Sequence, residues 1–192
     1  MPDPLQTLMD ALDAGDDARA EQAAAALTAV GDAALPALRR ILEDRDPHRR
    51  WWAPRALTVV GTDRAIELIL TALEDPDPDV RACAAVALSK LKPPEAIQPL
   101  VAHLSDPSAY VSRLAADALS QFGRPAVEAL IQALKEGDTA TRAGAARALS
   151  TIQPHEAISV LYEALDDRSA VVTYYAEEAL EKMGVGILLF RP

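Results

Sequence analysis

Apolar residues recur along this chain at spacings of three and four, the period of a helix with one buried stripe. Residues 65–73 place Ile66, Ile69, Leu70 and Leu73 on one face, and residues 79–91 do the same with Val80, Ala84, Leu88 and Leu91. Between them, Asp77 is placed to cap a helix and Pro78 to occupy its first position, where a missing N–H costs nothing. Lys92-Pro93-Pro94 ends that helix, because a residue before proline avoids the helical region. No segment alternates with period two, so no strand is expected.

This helix pair is written six times. One leucine ladder runs Leu27, Leu57, Leu88, Leu119, Leu149 and Leu180, with gaps of 30, 31, 31, 30 and 31 residues. A second ladder, Leu12, Leu42, Leu73, Leu104, Leu134 and Leu165, keeps the same gaps. Self-similarity at this period means stacked supersecondary units, none of which can bury its apolar face alone. Asp46-Pro47 and Asp106-Pro107 are expected to restart helices in repeats two and four. Gly31, Gly61, Gly123 and Gly184 each lie four residues after an anchor leucine, where a left-handed helix end is expected. The reading is all-α: twelve helices as six antiparallel pairs, over residues 5–31, 34–61, 65–91, 96–123, 126–152 and 157–183, in one elongated domain of 192 residues.

Composition narrows the function. A net charge of −10 disfavours nucleic acid as a partner, since phosphates need a basic footprint. The single cysteine, Cys83, leaves no disulfide framework and no cysteine-built metal site. No apolar run approaches the ~20 residues of a membrane span, and Met1-Pro2-Asp3-Pro4 does not open a secretory signal. A soluble, cytoplasmic protein without cofactor or metal is the expectation. No glycine-rich phosphate loop, G-x-S-x-G or H-E-x-x-H occurs, and His48, His103 and His155 are scattered, so no catalytic residue is assigned.

The segment from Asp75 to Leu88 follows Asp-x-Asp-Pro-x-Val-Arg-x-x-Ala-Ala-x-Ala-Leu. It resembles the HEAT-like repeat named from phycobilisome (bilin) lyase subunits, over roughly residues 5–183. The resemblance implies an α-solenoid, a right-handed superhelix with first helices on its convex side and second helices on its concave side. It also implies a bond between neighbouring repeats from an arginine seven residues before the anchor leucine. Arg50, Arg81 and Arg142 match, whereas Ala20, Ser112 and Thr173 do not. His155-Glu156 resembles one half-motif of the HEAT-type deoxyhypusine hydroxylases, which need several such pairs to hold iron.

On each second helix, positions six, five and two before the anchor and two after it should face the groove. They hold Glu21, Gln22, Ala25 and Ala29; Trp51, Trp52, Arg55 and Val59; Ala82, Cys83, Val86 and Lys90; Arg113, Leu114, Asp117 and Gln121; Ala143, Gly144, Arg147 and Thr151; and Tyr174, Tyr175, Glu178 and Lys182. The core positions repeat almost unchanged while these vary freely, as in a scaffold with a customised face. Half of the eight aromatic residues fall here, and the stripe carries two more positive than negative charges. The expected binding residues are Trp51, Trp52, Arg55, Arg113, Asp117, Arg147, Tyr174, Tyr175 and Glu178, in a non-enzymatic scaffold or adaptor for a protein or extended peptide. With helices ~8–10 Å apart, repeats two to six span roughly 35–40 Å, too far for one small molecule.

Other readings stand beside this one. Trp51 and Trp52 either line the groove or fill space beside Arg49, which replaces an apolar core residue. Arg113, Asp117 and Arg147 either meet a partner or form exposed ion pairs. The resemblance also implies a bilin lyase-type, chromophore-handling alternative, with groove arginines against propionates. The end of the chain, residues 184–192, carries Ile187, Leu188, Leu189 and Phe190, read either as a cap over repeat six or as a segment for self-association or partner docking.

Overall fold

The computed structural model describes residues 3–185; the apolar tail, Ile187 to Phe190, lies outside them. The described chain is all-α, with twelve α-helices and no strand. It is an α-solenoid built of two compact units, one up to Pro93 and one from Pro94. The first unit contains α1 (Pro4–Ala14), α2 (Asp17–Ala25), α3 (Leu35–Leu42), α4 (Pro47–Val60), α5 (Asp63–Ala72) and α6 (Pro78–Leu91). The second contains α7 (Ile97–Ala102), α8 (Ala109–Phe122), α9 (Val127–Glu136), α10 (Thr139–Ile152), α11 (Ile158–Glu163) and α12 (Ala170–Lys182). Odd-numbered helices are the first of each pair and even-numbered helices the second. Second helices stack on one another within each unit, α2 on α4 on α6 and α8 on α10 on α12.

The leucine ladders form the core. Leu27, Leu57, Leu88, Leu119 and Leu149 are completely buried, and Leu180 almost so. In the other ladder Leu12, Leu73, Leu104 and Leu134 are buried, whereas Leu42 and Leu165 are half-buried. Leu42 borders a surface cavity of about 410 Å³ between α3 and α5. Alanine fills the remaining core positions of the second helices, as at Ala84, Ala115, Ala145 and Ala176, all fully buried.

Helix starts follow the capping chemistry, with one correction. Asp77 accepts from the Asp79 N–H at 2.9 Å and Asp46 from the His48 N–H at 3.0 Å, each followed by proline at the first helical position. Asp106-Pro107 does not begin α8, which starts at Ala109 behind Ser108. The pair lies one step earlier in the repeat and corresponds to Asp75-Pro76 rather than to Asp46-Pro47. Asp106 accepts from the Ser108 N–H at 2.8 Å, as Asp75 accepts from Asp77 at 2.8 Å. These aspartates fold the turn and leave the N-cap position to the residue two positions on, where Asp77 caps with its side chain and Ser108 does not.

The position four residues after each anchor leucine has positive φ in all six repeats, and Gly61, Lys92 and Gln153 form the left-handed end. Gly123 does not, because its ψ of −133° takes the chain out of that region and its N–H bonds to Ser120 instead of Leu119. Glycine fills it four times, and Lys92 (φ 54°) and Gln153 (φ 57°) fill it otherwise. The turn geometry therefore outlasts the residue that favours it; the bond from the N–H of Lys92 to the Leu88 carbonyl, 2.8 Å, closes α6 as a glycine would.

The arginine series ties repeats together. Arg50 grips the carboxylate of Asp75 in the next repeat with two bonds of 2.7 and 2.8 Å, and a third N–H reaches the Asp44 carbonyl at 3.0 Å. Arg142 repeats this on Asp167, at 2.7 and 3.1 Å, with Gly137 as the carbonyl partner. Arg81 donates to the carbonyls of Asp75 and Pro76. Ala20 breaks the series in repeat one, and Arg49 of α4 spans that joint instead. It bonds to Asp13 and lies 2.9 Å from Asp44, an ion pair off line for a hydrogen bond.

Candidate partner-binding faces

On the first unit, α4 places Trp51, Trp52 and Arg55 beside α2 and α6. Trp52 is buried, with 3% of its surface exposed, and its indole N–H lies 3.3 Å from Asp17 on α2. It belongs to the packing between repeats one and two. Trp51 is half-buried and meets Trp52 edge-on, ring centroids 5.2 Å apart and planes at 90°. The Arg55 guanidinium lies 5.4 Å from the Trp51 ring centroid and 5.8 Å from that of Trp52. It also bonds to Glu21 of α2, which holds the Glu21 carboxyl below the usual range for glutamate. Cys83 of α6 is half-buried beside this cluster, and burial raises its thiol pKa to about 11, which keeps it protonated at neutral pH. Ala82, expected on this face, is buried. On α6 the exposed remainder is Val86 and Lys90.

On the second unit, α8, α10 and α12 present their faces side by side. Tyr174 is 60% exposed and meets the half-buried Tyr175 with ring centroids 5.2 Å apart. Arg147 on the middle helix bonds to Asp117 at 2.7 Å. Glu178 accepts from Ser150 at 2.9 Å and pairs with Lys182 at 3.2 Å; the Ser150 bond, then the lysine, lowers its pKa. Arg113 is exposed and lies over the Tyr110 ring, 5.6 Å from its centroid. Gly144 does not face outward: a Cβ there would lie 2.9 Å from the Leu104 side chain, so the missing side chain admits Leu104 to α10.

The expected site residues therefore divide. Trp51, Arg55 and Trp52 cluster on the first unit; Arg113, Asp117, Arg147, Tyr174, Tyr175 and Glu178 lie on the second. Two further exposed apolar residues were outside the expected stripe: Tyr110 at 50% and Val171 at 53%. Both stand nine residues before their anchors, and their shared repeat position was the available signal. Among the described residues no group of three or more His, Cys, Asp or Glu could hold a metal ion, and no helix is long and apolar enough to cross a membrane. His155 and Glu156 are exposed, and Glu156 pairs with Arg124 at 2.8 Å.

A family model described as HEAT repeats matches residues 5–70, 50–110 and 97–181. The chain belongs to the HEAT repeat family. No curated protein matches this HEAT repeat chain. Among solved structures, an engineered protein is similar at 25% identity, covering 97% of this chain and 100% of its own, with a TM-score of 0.50. A designed armadillo repeat protein, solved in complex with the peptide (KR)4, is similar at 20% identity, covering 95% and 100%, with a TM-score of 0.50. The complex of CpcE and CpcF of phycocyanin lyase from Nostoc sp. PCC7120 contains a chain similar at 22% identity, covering 92% and 85%, with a TM-score of 0.39.

Proposed function

We propose that this HEAT repeat protein is a non-enzymatic scaffold or adaptor that binds a protein partner through the exposed faces of its second helices. The observation that carries the reading is the concentration of exposed apolar side chains there. Tyr110, Val171, Tyr174 and Val86 are the large hydrophobic residues exposed among the described residues, and all lie on second helices. Aromatic residues with a neighbouring arginine are the usual carriers of binding energy at protein interfaces. The paired groups around them, Asp117 with Arg147 and Glu178 with Lys182, act as a polar rim. The chromophore-handling alternative is less well supported. Arg55 and Arg147, which would face propionates, already hold Glu21 and Asp117 of this chain.

The test is a pull-down from native lysate with wild type, Tyr174→Ala/Tyr175→Ala and Trp51→Ala, each first shown to unfold at the wild-type midpoint. A partner captured by wild type and lost from a folded face variant is the expected result. A partner retained by all three would remove the second-helix faces from binding. Transfer of an added tetrapyrrole to an acceptor protein would replace the scaffold reading with the lyase one.

A further inference from the structure

Resting on that reading, we propose that the second unit's face takes one amphipathic helix of a partner, apolar side down over α10 and a carboxylate on Arg113. Repeat-equivalent residues on α8, α10 and α12 run large, small, large. Nine residues before the anchors they are Tyr110, Ala140 and Val171; six before, Arg113, Ala143 and Tyr174. Because α10 packs on both α8 and α12, these two rows describe a trough floored by Ala140 and Ala143 in the first half of α10; one turn further on, Arg147 of α10 carries the pair with Asp117. Equivalent positions on α8 and α12 are two packing steps apart, ~16–20 Å. That separation exceeds the ~10–12 Å diameter of one helix.

The apolar part of the occupant is set by exposure. Three of the four exposed large hydrophobic residues among the described residues line these walls, at 50, 53 and 60%. A helix with apolar residues at i, i+3, i+4 and i+7 presents a matching stripe. The charge is set by pairing. Arg147 is held by Asp117 and Lys182 by Glu178, whereas Arg113 has no carboxylate partner among the described residues. Its planar fork, 5.6 Å from the Tyr110 ring centroid, can take a carboxylate with two parallel bonds. The chain as a whole carries −10, so a uniformly acidic segment would be repelled. Screening within ~8 Å at physiological salt limits the attraction to an acidic residue set beside Arg113.

The experiment pans a display library of random 18-residue peptides on the full chain and measures enriched peptides by fluorescence anisotropy. Expected are peptides with a helical apolar stripe and an Asp or Glu at its edge. Their affinity should fall at least tenfold with Arg113→Glu and with Tyr174→Ala, and a Glu-to-Lys swap in the peptide should restore binding to Arg113→Glu. Both substituted side chains are exposed, so an unchanged thermal midpoint confirms folding. Enrichment of basic or extended non-helical peptides, or of acidic ones indifferent to Arg113→Glu, overturns the inference. If those peptides still depend on Tyr174, the scaffold face survives without the acidic helix. If no peptide is enriched, or none depends on Tyr174, the inference fails, and the lysate pull-down decides the scaffold reading separately.

Discussion

The two units carry adjacent aromatic pairs at the same repeat positions and use them in opposite ways. In the first, Trp52 is buried against Asp17, and Trp51 is half-buried under a guanidinium already bonded to Glu21. In the second, Tyr174 stands 60% exposed, and Arg113, placed like Trp51 six residues before its anchor, has no carboxylate partner among the described residues. Neighbouring side chains account for the difference. Arg49 occupies an apolar core position in repeat two, and the larger indoles and Arg55 close over that joint. Repeat six keeps Val172 buried in the equivalent position, and Tyr174 stays outside the packing. One position can thus be structural in one repeat and free for binding in another.

The contrast can be broken most forcefully at Trp52. Trp52→Ala should cost about 3–5 kcal/mol of stability in urea unfolding, the cost of emptying a buried aromatic site. A loss under about 1 kcal/mol would return that indole to the exposed face. Next is the floor of the second face. Gly144→Ala must displace Leu104 and should cost about 1–3 kcal/mol; a neutral substitution would show that α10 has room to rise.

Arg142→Ala should cost about 1–3 kcal/mol at neutral pH, since it leaves the largely buried Asp167 carboxylate without its fork. Arg142 lowers the folded-state pKa of Asp167. That stabilisation is therefore complete above the ordinary aspartate value of about 4 and is lost as pH falls through the lower folded value. The wild-type advantage should vanish in acid unfolding curves; a difference constant down to pH 2 would exclude the ion pair as its source. Glu21→Gln frees Arg55 from an exposed pair and should change stability by less than about 1 kcal/mol. It should also make the first face resemble the second, so that acidic peptides gain affinity for it; no gain would show that the buried indole, not the ion pair, closes that face. Smallest is Tyr174→Ala, within about 0.5 kcal/mol in stability, which separates its binding role from packing.

Much of the fold was readable because a repeat states its own core. Leu27 to Leu180 recur at one position, and every one of them is buried. The cap at Asp77-Pro78 and the positive φ at the four glycines after an anchor follow from local chemistry that needs no distant partner. Asp106-Pro107 misled because the same dipeptide serves two adjacent turn positions, and only the backbone distinguishes them. Lys92 and Gln153 show the reverse, the same left-handed turn at residues that do not advertise it.

The site was readable only as a set of faces. The sequence by itself determined the helices, their pairing and which side of each is apolar, because these depend on periods of three, four and about thirty residues. Which exposed-face residues remain available was decided by tertiary structure. Burial of Trp52, capture of Arg55 by Glu21 and of Arg147 by Asp117, and the descent of Gly144 onto Leu104 all join residues about thirty or more positions apart. Such contacts depend on the size and reach of both partners at once, and no single helix period encodes them.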